Sequence, residues 1–216
     1  MNVNHSILFP PPSSATDEGI VALGGDLSVE TLLSAYSQGI FPWPHEEYPL
    51  LWFCPWERGI LEFKDLHISR SLKKFISKQT NWSWTWNQSF TKVINACATT
   101  PRPGQAGTWI NQEMVAAYER FHIAGYAKSL EVWENDQLIA GIYGVLVKNI
   151  FSAESMFFHK PNASKWALWQ LVKYLQSIGL EWMDVQMVTP ITESFGAKLI
   201  SQETFLQKLK RSQKPQ

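Results

Sequence analysis

Cysteine is nearly absent: Cys54 and Cys97 are the only two in 216 residues. They show no metal-type spacing, so neither a disulfide framework nor a zinc site is expected, and both read as lone thiols. No stretch reaches the roughly 18 consecutive apolar residues of a membrane-spanning helix. The first residues also lack the charged-then-apolar order of a secretion signal. The expectation is a cytoplasmic protein with no membrane partner. Surplus charge is missing too, since 19 Lys and Arg balance 19 Asp and Glu. That excludes coating nucleic acid through bulk charge, but a local basic face stays possible. With 18% charged and 45% hydrophobic residues the chain is not of disordered composition. Its length suits one large domain or two small ones with a substantial core. What it has in plenty is tryptophan, 11 in all, which serves equally as pocket wall and as ordinary core.

The densest polar signal runs from Gly141 to Gln186. Leu138 to Val147 and Ile150 to Phe157 read as strands joined by a tight Lys148-Asn149 turn, because Asn tolerates the positive φ that such turns need. The second strand carries Glu154. His159-Lys160-Pro161 then breaks the sheet and Asn162 stands where a helix N-cap belongs. Ala167, Leu168, Leu171, Val172, Leu175 and Ile178 follow at helical spacing, with Gly179 as the stop. From Leu180 to Val188 the chain alternates, so Trp182, Asp184 and Gln186 share one strand face and Met183, Val185 and Met187 the other. Asp184 and Gln186 are thus neighbours roughly 7 Å apart. A carboxylate and a carboxamide among tryptophans and methionines either satisfy each other and the backbone in a register-fixing network, or await a ligand.

The remaining segments read as supports. Residues 1 to 19, with Phe9-Pro10-Pro11-Pro12, form a surface arm. Ser28 caps a short helix bearing Leu32, Leu33 and Tyr36, which Gly39 stops. Gly39 to Pro44 is a stiff aromatic loop, either a hydrophobic plug or a ligand wall suited to base stacking. Leu50 to Arg58 reads as a strand entering a turn and Gly59-Ile60-Leu61 resumes it; a soft domain boundary falls near Phe63. Beyond it Lys64, Arg70, Lys73, Lys74 and Lys78 crowd around a buried stripe of Leu72, Phe75 and Ile76, a solvated helix face or a phosphate-contacting patch. Trp82, Trp84 and Trp86 alternate as in a strand, and Asn87 can cap a helix with Phe90, Val93, Ile94 and Cys97. Thr99 to Gly107 reads as a mobile loop that delivers Thr108-Trp109. Asn111 caps a helix with Met114, Val115, Tyr118 and Phe121, stopped by Gly125, and Ala127 to Trp133 is a strand. A last helix over Ser201 to Lys210 packs Phe205, Leu206 and Leu209, leaving Lys208, Lys210, Arg211 and Lys214 exposed. Three antiparallel strands, a helix and a strand returning parallel resemble the core of the GNAT-type acyltransferase fold. The expected class is α+β: a small N-terminal domain, 1–63, and a larger GNAT-like domain, 64–216, with a mixed sheet flanked by helices.

Several stretches resemble one family, the leucyl/phenylalanyl-tRNA–protein transferases. They are Leu23-Gly24-Gly25-Asp26-Leu27, Ala35 to Trp43, Leu66 to Leu72, Gly107-Thr108-Trp109-Ile110 and Ser129 to Trp133. Gly141 to Val145, Glu154-Ser155-Met156-Phe157 and Asn162-Ala163-Ser164-Lys165 continue the series in order. The resemblance implies transfer of Leu, Phe or Met from aminoacyl-tRNA to proteins beginning with Arg or Lys, the tagging step of an N-degron. It implies no metal or nucleotide cofactor and a monomer. Trp43 and Trp109 resemble the pair that holds the terminal adenosine. Met156, Phe157, Tyr118 and Ser164 fall among the substrate-binding positions, and Arg70, Lys73 and Lys74 supply tRNA contacts. Glu154, Asp184 and Gln186 match the reaction centre. There Gln186 orients the amine or carbonyl and Asp184 fixes Gln186 or serves as general base, while Glu154 holds the ribose or the acceptor's positive charge; the carboxamide cannot take a proton. Val185 replaces a usual Cys. Ile191-Thr192-Glu193-Ser194-Phe195-Gly196-Ala197 stands where His-x-x-Ser-Leu-Gly-Ala is usual. Two alternatives differ in class. An acyl-CoA N-acyltransferase would need a Gly-rich pyrophosphate turn that His159-Lys160-Pro161 lacks. A recognition module for basic N-termini would bind peptide without turnover.

Overall fold

A computed structural model describes residues 8–45, 47–101 and 108–212. The small sheet comprises β1 (Ile20–Leu23), β2 (Phe41–Trp43) and β3 (Leu51–Phe53) in the order β1-β3-β2, all antiparallel. Helix α1 (Val29–Ser37) lies between β1 and β2; Ser28 caps it by accepting from the Thr31 N–H, and Gly39 leaves it at φ +78°. The N-terminal arm is pinned by Phe9, which is buried and packs edge-on against Trp52 with ring centroids 4.9 Å apart.

The large sheet is mixed. After β4 (Glu57–Glu62) come α2 (Arg70–Lys78), β5 (Trp82–Trp86), α3 (Phe90–Thr99) and α4 (Gln112–Ile123). Then follow β6 (Ala127–Glu134), β7 (Gln137–Val147), β8 (Ile150–Phe158), α5 (Ala163–Ser177), β9 (Trp182–Gln186), α6 (Pro190–Ser194), β10 (Lys198–Ser201) and α7 (Gln202–Ser212). The order is β10-β4-β9-β8-β7-β6-β5. The expected Lys148-Asn149 hairpin closes where sequence places it, at φ +50° and +62°, and Asn135 and Asp136, at +48° and +62°, turn β6 into β7. The unit β6-β7-β8-α5-β9 has three antiparallel strands, a helix and a strand returning parallel to β8, as expected.

Four local readings change. The stretch from Leu50 to Leu61 is two strands in two sheets, because Pro55 separates β3 from β4. The chain passes from one sheet to the other over Cys54–Trp56. Asn87 does not cap α3; it sits at φ +59°, the cap residue is Ser89, and the buried Glu131 carboxylate accepts from the Ser89 and Gln88 N–H groups at 3.2 and 3.4 Å. Asn162 occupies the cap position of α5 in the left-handed region, φ +65°, without a side-chain cap bond. Lys208 is only part-exposed and holds Glu62 at 2.7 Å. Asn111 does cap α4, accepting from the Met114 N–H at 2.9 Å. The loop expected over Thr99 to Gly107 lies largely outside the described residues, as does Lys214.

The sheet separates two apolar layers. On one side α1, α3 and α4 pack with the small sheet and the odd residues Tyr143 and Val145 of β7 in a single cluster. The N-terminal region therefore shares its core with the helices of the large sheet. On the other side α5 and α2 pack against Leu130, Ile142 and Met183. Among the described residues no helix is long and apolar enough to cross a membrane.

Candidate active site

The site is built where β8 and β9 run side by side and both strands are irregular. In β8, Ser155 pairs with Tyr143 and Ala153 with Gly144, so Glu154 is the extra residue of a β-bulge. The bulge inverts the alternation. Phe151 and Ala153 face the α5 side before it, whereas Phe157 faces the α1/α3/α4 side after it. Gly144 fits opposite because a Cβ there would come within 2.3 Å of the Ser152 carbonyl oxygen. At the end of β9, Gln186 adopts φ +58°, a conformation that favours glycine, and the Met187 N–H closes back onto the Val185 carbonyl at 2.6 Å. Both deviations turn a polar side chain into the layer that holds α1 and α4.

There the polar groups form one connected chain. Gln186 Nε2 donates to Glu154 Oε1 at 2.8 Å, and the Tyr118 hydroxyl donates to Glu154 Oε2 at 3.4 Å. The Tyr36 hydroxyl of α1 is hydrogen-bonded to that of Tyr118. Among the described residues neither oxygen of Glu154 meets a cation directly. Burial pushes its carboxyl up to about 8; the Asp184 charge adds to that rise, while the Tyr36 hydrogen bond, the Arg58 charge and the Tyr118 bond oppose it. Burial likewise drives both tyrosine hydroxyls well above their ordinary range, with the Glu154 charge as the next contribution.

Asp184 is in the opposite condition. It is 1% exposed and gripped by Arg58, with Nε to Oδ1 at 2.9 Å and a second guanidinium nitrogen to Oδ2 at 2.6 Å. Ser152 Oγ donates to Oδ2 at 3.2 Å and the Gln186 backbone N–H to Oδ1 at 2.8 Å. With four donors on two oxygens and no path to solvent, this carboxylate is a fixed structural anion. The expected fixing of Gln186 by Asp184 is present, through the backbone N–H; an accessible general base is not what this geometry offers. Arg58 and Tyr36 were not among the sequence candidates. Arg58 has one sequence signal, a charge two residues from Ile60 on a strand that is otherwise buried through Leu61. Such a position requires an anion, but sequence does not say which one.

The other candidates divide by face. The rings of Trp43 and Trp109 stack at 5.4 Å between centroids and 22° between planes, and pack against the same cluster as Tyr36, Tyr118 and Phe157. Met156 belongs to the opposite layer, and Ser164 is buried in the first turn of α5, the helix that covers that layer. Met156 and Phe157 therefore do not line one wall, because consecutive residues of a strand point to opposite faces. Arg70, Lys73 and Lys74 are exposed on α2, whose Phe75 packs on Trp82 of the edge strand β5. Val185 faces the α5 layer, away from the Asp184 carboxylate, and Ile191 packs against that layer too. Cys54 is buried and pushed up to about 11 by burial, which removes it as a nucleophile. Among the described residues no cluster of His, Cys, Asp and Glu could hold a metal.

Comparison with known proteins agrees with the order of these elements. The family model described as leucyl/phenylalanyl-tRNA protein transferase matches residues 60–210, and that of its N-terminal domain matches 25–55. A leucyl/phenylalanyl-tRNA--protein transferase of Lawsonia intracellularis is 46% identical over 206 residues, 95% of this chain and 90% of the relative. One of Shewanella pealeana is 46% identical over 203 residues, 93% of this chain and 85% of that relative. Among solved structures, L-PGS from Bacillus licheniformis aligns over 71% of this chain and 56% of its own at a TM-score of 0.43 and 11% identity, too distant to bear on the site. By the extent of both family models and of these relatives, the chain belongs to the leucyl/phenylalanyl-tRNA protein transferase family.

Proposed function

We propose that this protein moves Leu, Phe or Met from aminoacyl-tRNA onto the α-amine of proteins beginning with Arg or Lys, and that Glu154 and Gln186 are the reacting pair. The observation that carries this reading is the chain Tyr118–Glu154–Gln186, a carboxyl held by neutral donors in the layer that also holds Trp43 and Trp109.

The reaction is aminolysis of an ester. The α-amine attacks the aminoacyl carbonyl, a C–N bond forms, the C–O bond to the ribose breaks, and one proton passes from nitrogen to the leaving oxygen. Gln186 donates through Nε2 to Glu154, which leaves its carboxamide oxygen to receive an N–H of the amine and so orient it. Glu154 then has the proton affinity the step needs. The neutral α-amine is the attacking form, and a Glu154 carboxyl raised to about 8 takes up and gives back a proton readily near neutral pH. The same carboxyl hands the proton to the ribose oxygen as it leaves. Asp184 holds the turn that presents Gln186. Trp43 and Trp109 offer aromatic faces to the terminal adenosine, and Phe157 and Tyr118 give the apolar side of the aminoacyl pocket. Arg70, Lys73 and Lys74 extend the tRNA contact along α2. We read the chain as a monomer with a small N-terminal domain over 1–63 and a catalytic domain over 64–216.

An acyl-CoA reading fits less well. The start of α5 has Asn162 in the left-handed region, and Lys160 before it is engaged by Glu134, so the helix does not open on a free anion cradle. The test is transfer of labelled leucine from Leu-tRNA to a peptide beginning with Arg, beside an Ala-begun peptide and acetyl-CoA. Transfer confined to the Arg peptide is expected; acetyl transfer instead would overturn the reading.

A further inference from the structure

Arg58 is the one buried charge near the site without an assigned part. Its side chain is 1% exposed and holds both oxygens of Asp184, and its Cζ lies over the rings of Phe41 and Phe205, 4.5 and 4.7 Å from their centroids. The clamp draws on β2, β4, β9 and α7 at once. The remaining nitrogen, Nη1, is buried and has no hydrogen-bond partner among the described residues.

Stability alone does not explain such a group. Apolar residues of like volume in place of a buried ion pair usually hold a fold as well or better. What they cannot do is keep Asp184 an anion with Oδ1 aimed at the Gln186 N–H. That bond, 2.8 Å long, anchors a residue at φ +58°, where a side chain other than glycine's is strained. The next residue of β4 meets the same turn: Gly59 pairs with Gln186, and a Cβ there would come within 2.9 Å of the Met187 carbonyl carbon and 3.1 Å of the Val188 nitrogen. Arg58 and Gly59 thus close on the Gln186 turn from its side chain and from its backbone.

We propose that Arg58 is a positioning residue for the transfer reaction, fixing the plane of the Asp184 carboxylate and through it the turn that sets the Gln186 carboxamide against Glu154. The inference rests on the reading of Glu154 and Gln186 as the reacting pair. It also explains the residue type. A planar fork bonded to both carboxylate oxygens and packed against two aromatic rings is held in one plane, whereas a lysine ammonium would supply the charge without the plane.

The experiment compares Arg58→Lys, Asp184→Asn and the pair Arg58→Met/Asp184→Asn with the unaltered protein. It reads leucine transfer from Leu-tRNA to an Arg-begun peptide, thermal unfolding, and hydrogen exchange at the Gln186 backbone N–H. Arg58→Lys is expected to stay folded and to lose about tenfold or more in kcat, with KM for Leu-tRNA unchanged within about twofold. Exchange at Gln186 should quicken about tenfold while the amides of α5 stay as they were. Because Arg58 acts through Asp184, the pair should be no slower than Asp184→Asn alone. If Arg58→Lys does not fold, that last comparison decides. Wild-type kcat and Gln186 protection in Arg58→Lys would overturn the proposal, as would a loss that merely follows the folded fraction or losses that multiply in the pair. Should the unaltered protein fail to transfer leucine, the functional reading falls, and exchange at Gln186, which needs no substrate, still decides whether Arg58 sets the turn.

Discussion

Two carboxylates on adjacent strands, Asp184 and Glu154, face the same polar cluster and meet opposite fates. Asp184 lies fully buried with a guanidinium on both oxygens and two further donors, so its charge is completely used. Glu154 sits in a bulge where its described partners are a carboxamide and tyrosine hydroxyls, and its affinity for a proton rises to about 8. An acid becomes structural when a cation reaches it and chemically available when only neutral donors do. On the proposed reading the proton belongs to Glu154 and the scaffold to Asp184, a division the pattern Asp-x-Gln does not contain.

The largest way to break the contrast is Asp184→Ala. It leaves Arg58 buried without its partner, which costs about 3–5 kcal/mol, so chemical denaturation should show a protein near its stability limit and transfer lost with the fold. A well-folded Asp184→Ala that still lost transfer would move Asp184 into the chemistry. Glu154→Gln should do the reverse: transfer falls by about 10²–10⁴-fold while the fold holds. The pH dependence gives the same test a sign. Raised from an unfolded value near ~4.3 to about 8, the carboxyl binds a proton in the folded chain that the unfolded chain releases between those values. Stability from this group is therefore fully present below the lower value and is lost as pH rises through about 8, where activity gains its base. Melting temperatures of wild type and Glu154→Gln should coincide near pH 4 and diverge in favour of Gln by about pH 9, while wild-type kcat climbs through about pH 8 and the variant's stays flat. A wild-type kcat independent of pH would remove Glu154 as the proton acceptor.

A smaller effect separates the polar cluster from the aromatic pair. Trp109→Ala should raise KM for Leu-tRNA about tenfold, in keeping with a stacking contribution of about 1–3 kcal/mol, and leave KM for the peptide unchanged. A KM for Leu-tRNA unchanged by the substitution would make the Trp43–Trp109 stack ordinary packing.

How far the sequence reaches follows from how local each determinant is. The Lys148-Asn149 turn, the apolar stripe of α5 and the alternation of β9 are written in neighbouring residues, and each is found where expected. The misread caps show the limit of that logic. Asn87 and Asn162 carry the right side chain, but both are spent on left-handed backbone, and α3 draws its N-terminal acceptor from Glu131, 42 or more residues away. Within the site, Asp184 and Gln186 are legible as a pair on one strand face. The bulge that parts Met156 from Phe157 is not, because an extra residue in β8 is defined only by its pairing with β7. Nor is Arg58, whose partner lies 126 residues downstream.

The smallest expected effect concerns the basic face of α2, which lies across the sheet from Glu154. Phe75 and Ile76 pack into the α5 layer, whereas Tyr36 and Tyr118 belong to the opposite one. On the proposed reading Arg70, Lys73 and Lys74 therefore lie away from the reacting ester and would act on the body of the tRNA. Changing Lys73 and Lys74 together to Ala should leave kcat at saturating Leu-tRNA intact. It should lower the slope of log affinity against log salt by roughly 1 to 2, about one released counterion per lysine. Fluorescence titration of labelled tRNA at several salt concentrations measures that slope. An unchanged slope would return the lysines of α2 to an ordinary solvated face and confine the tRNA contact to the side of the sheet that holds Trp43 and Trp109.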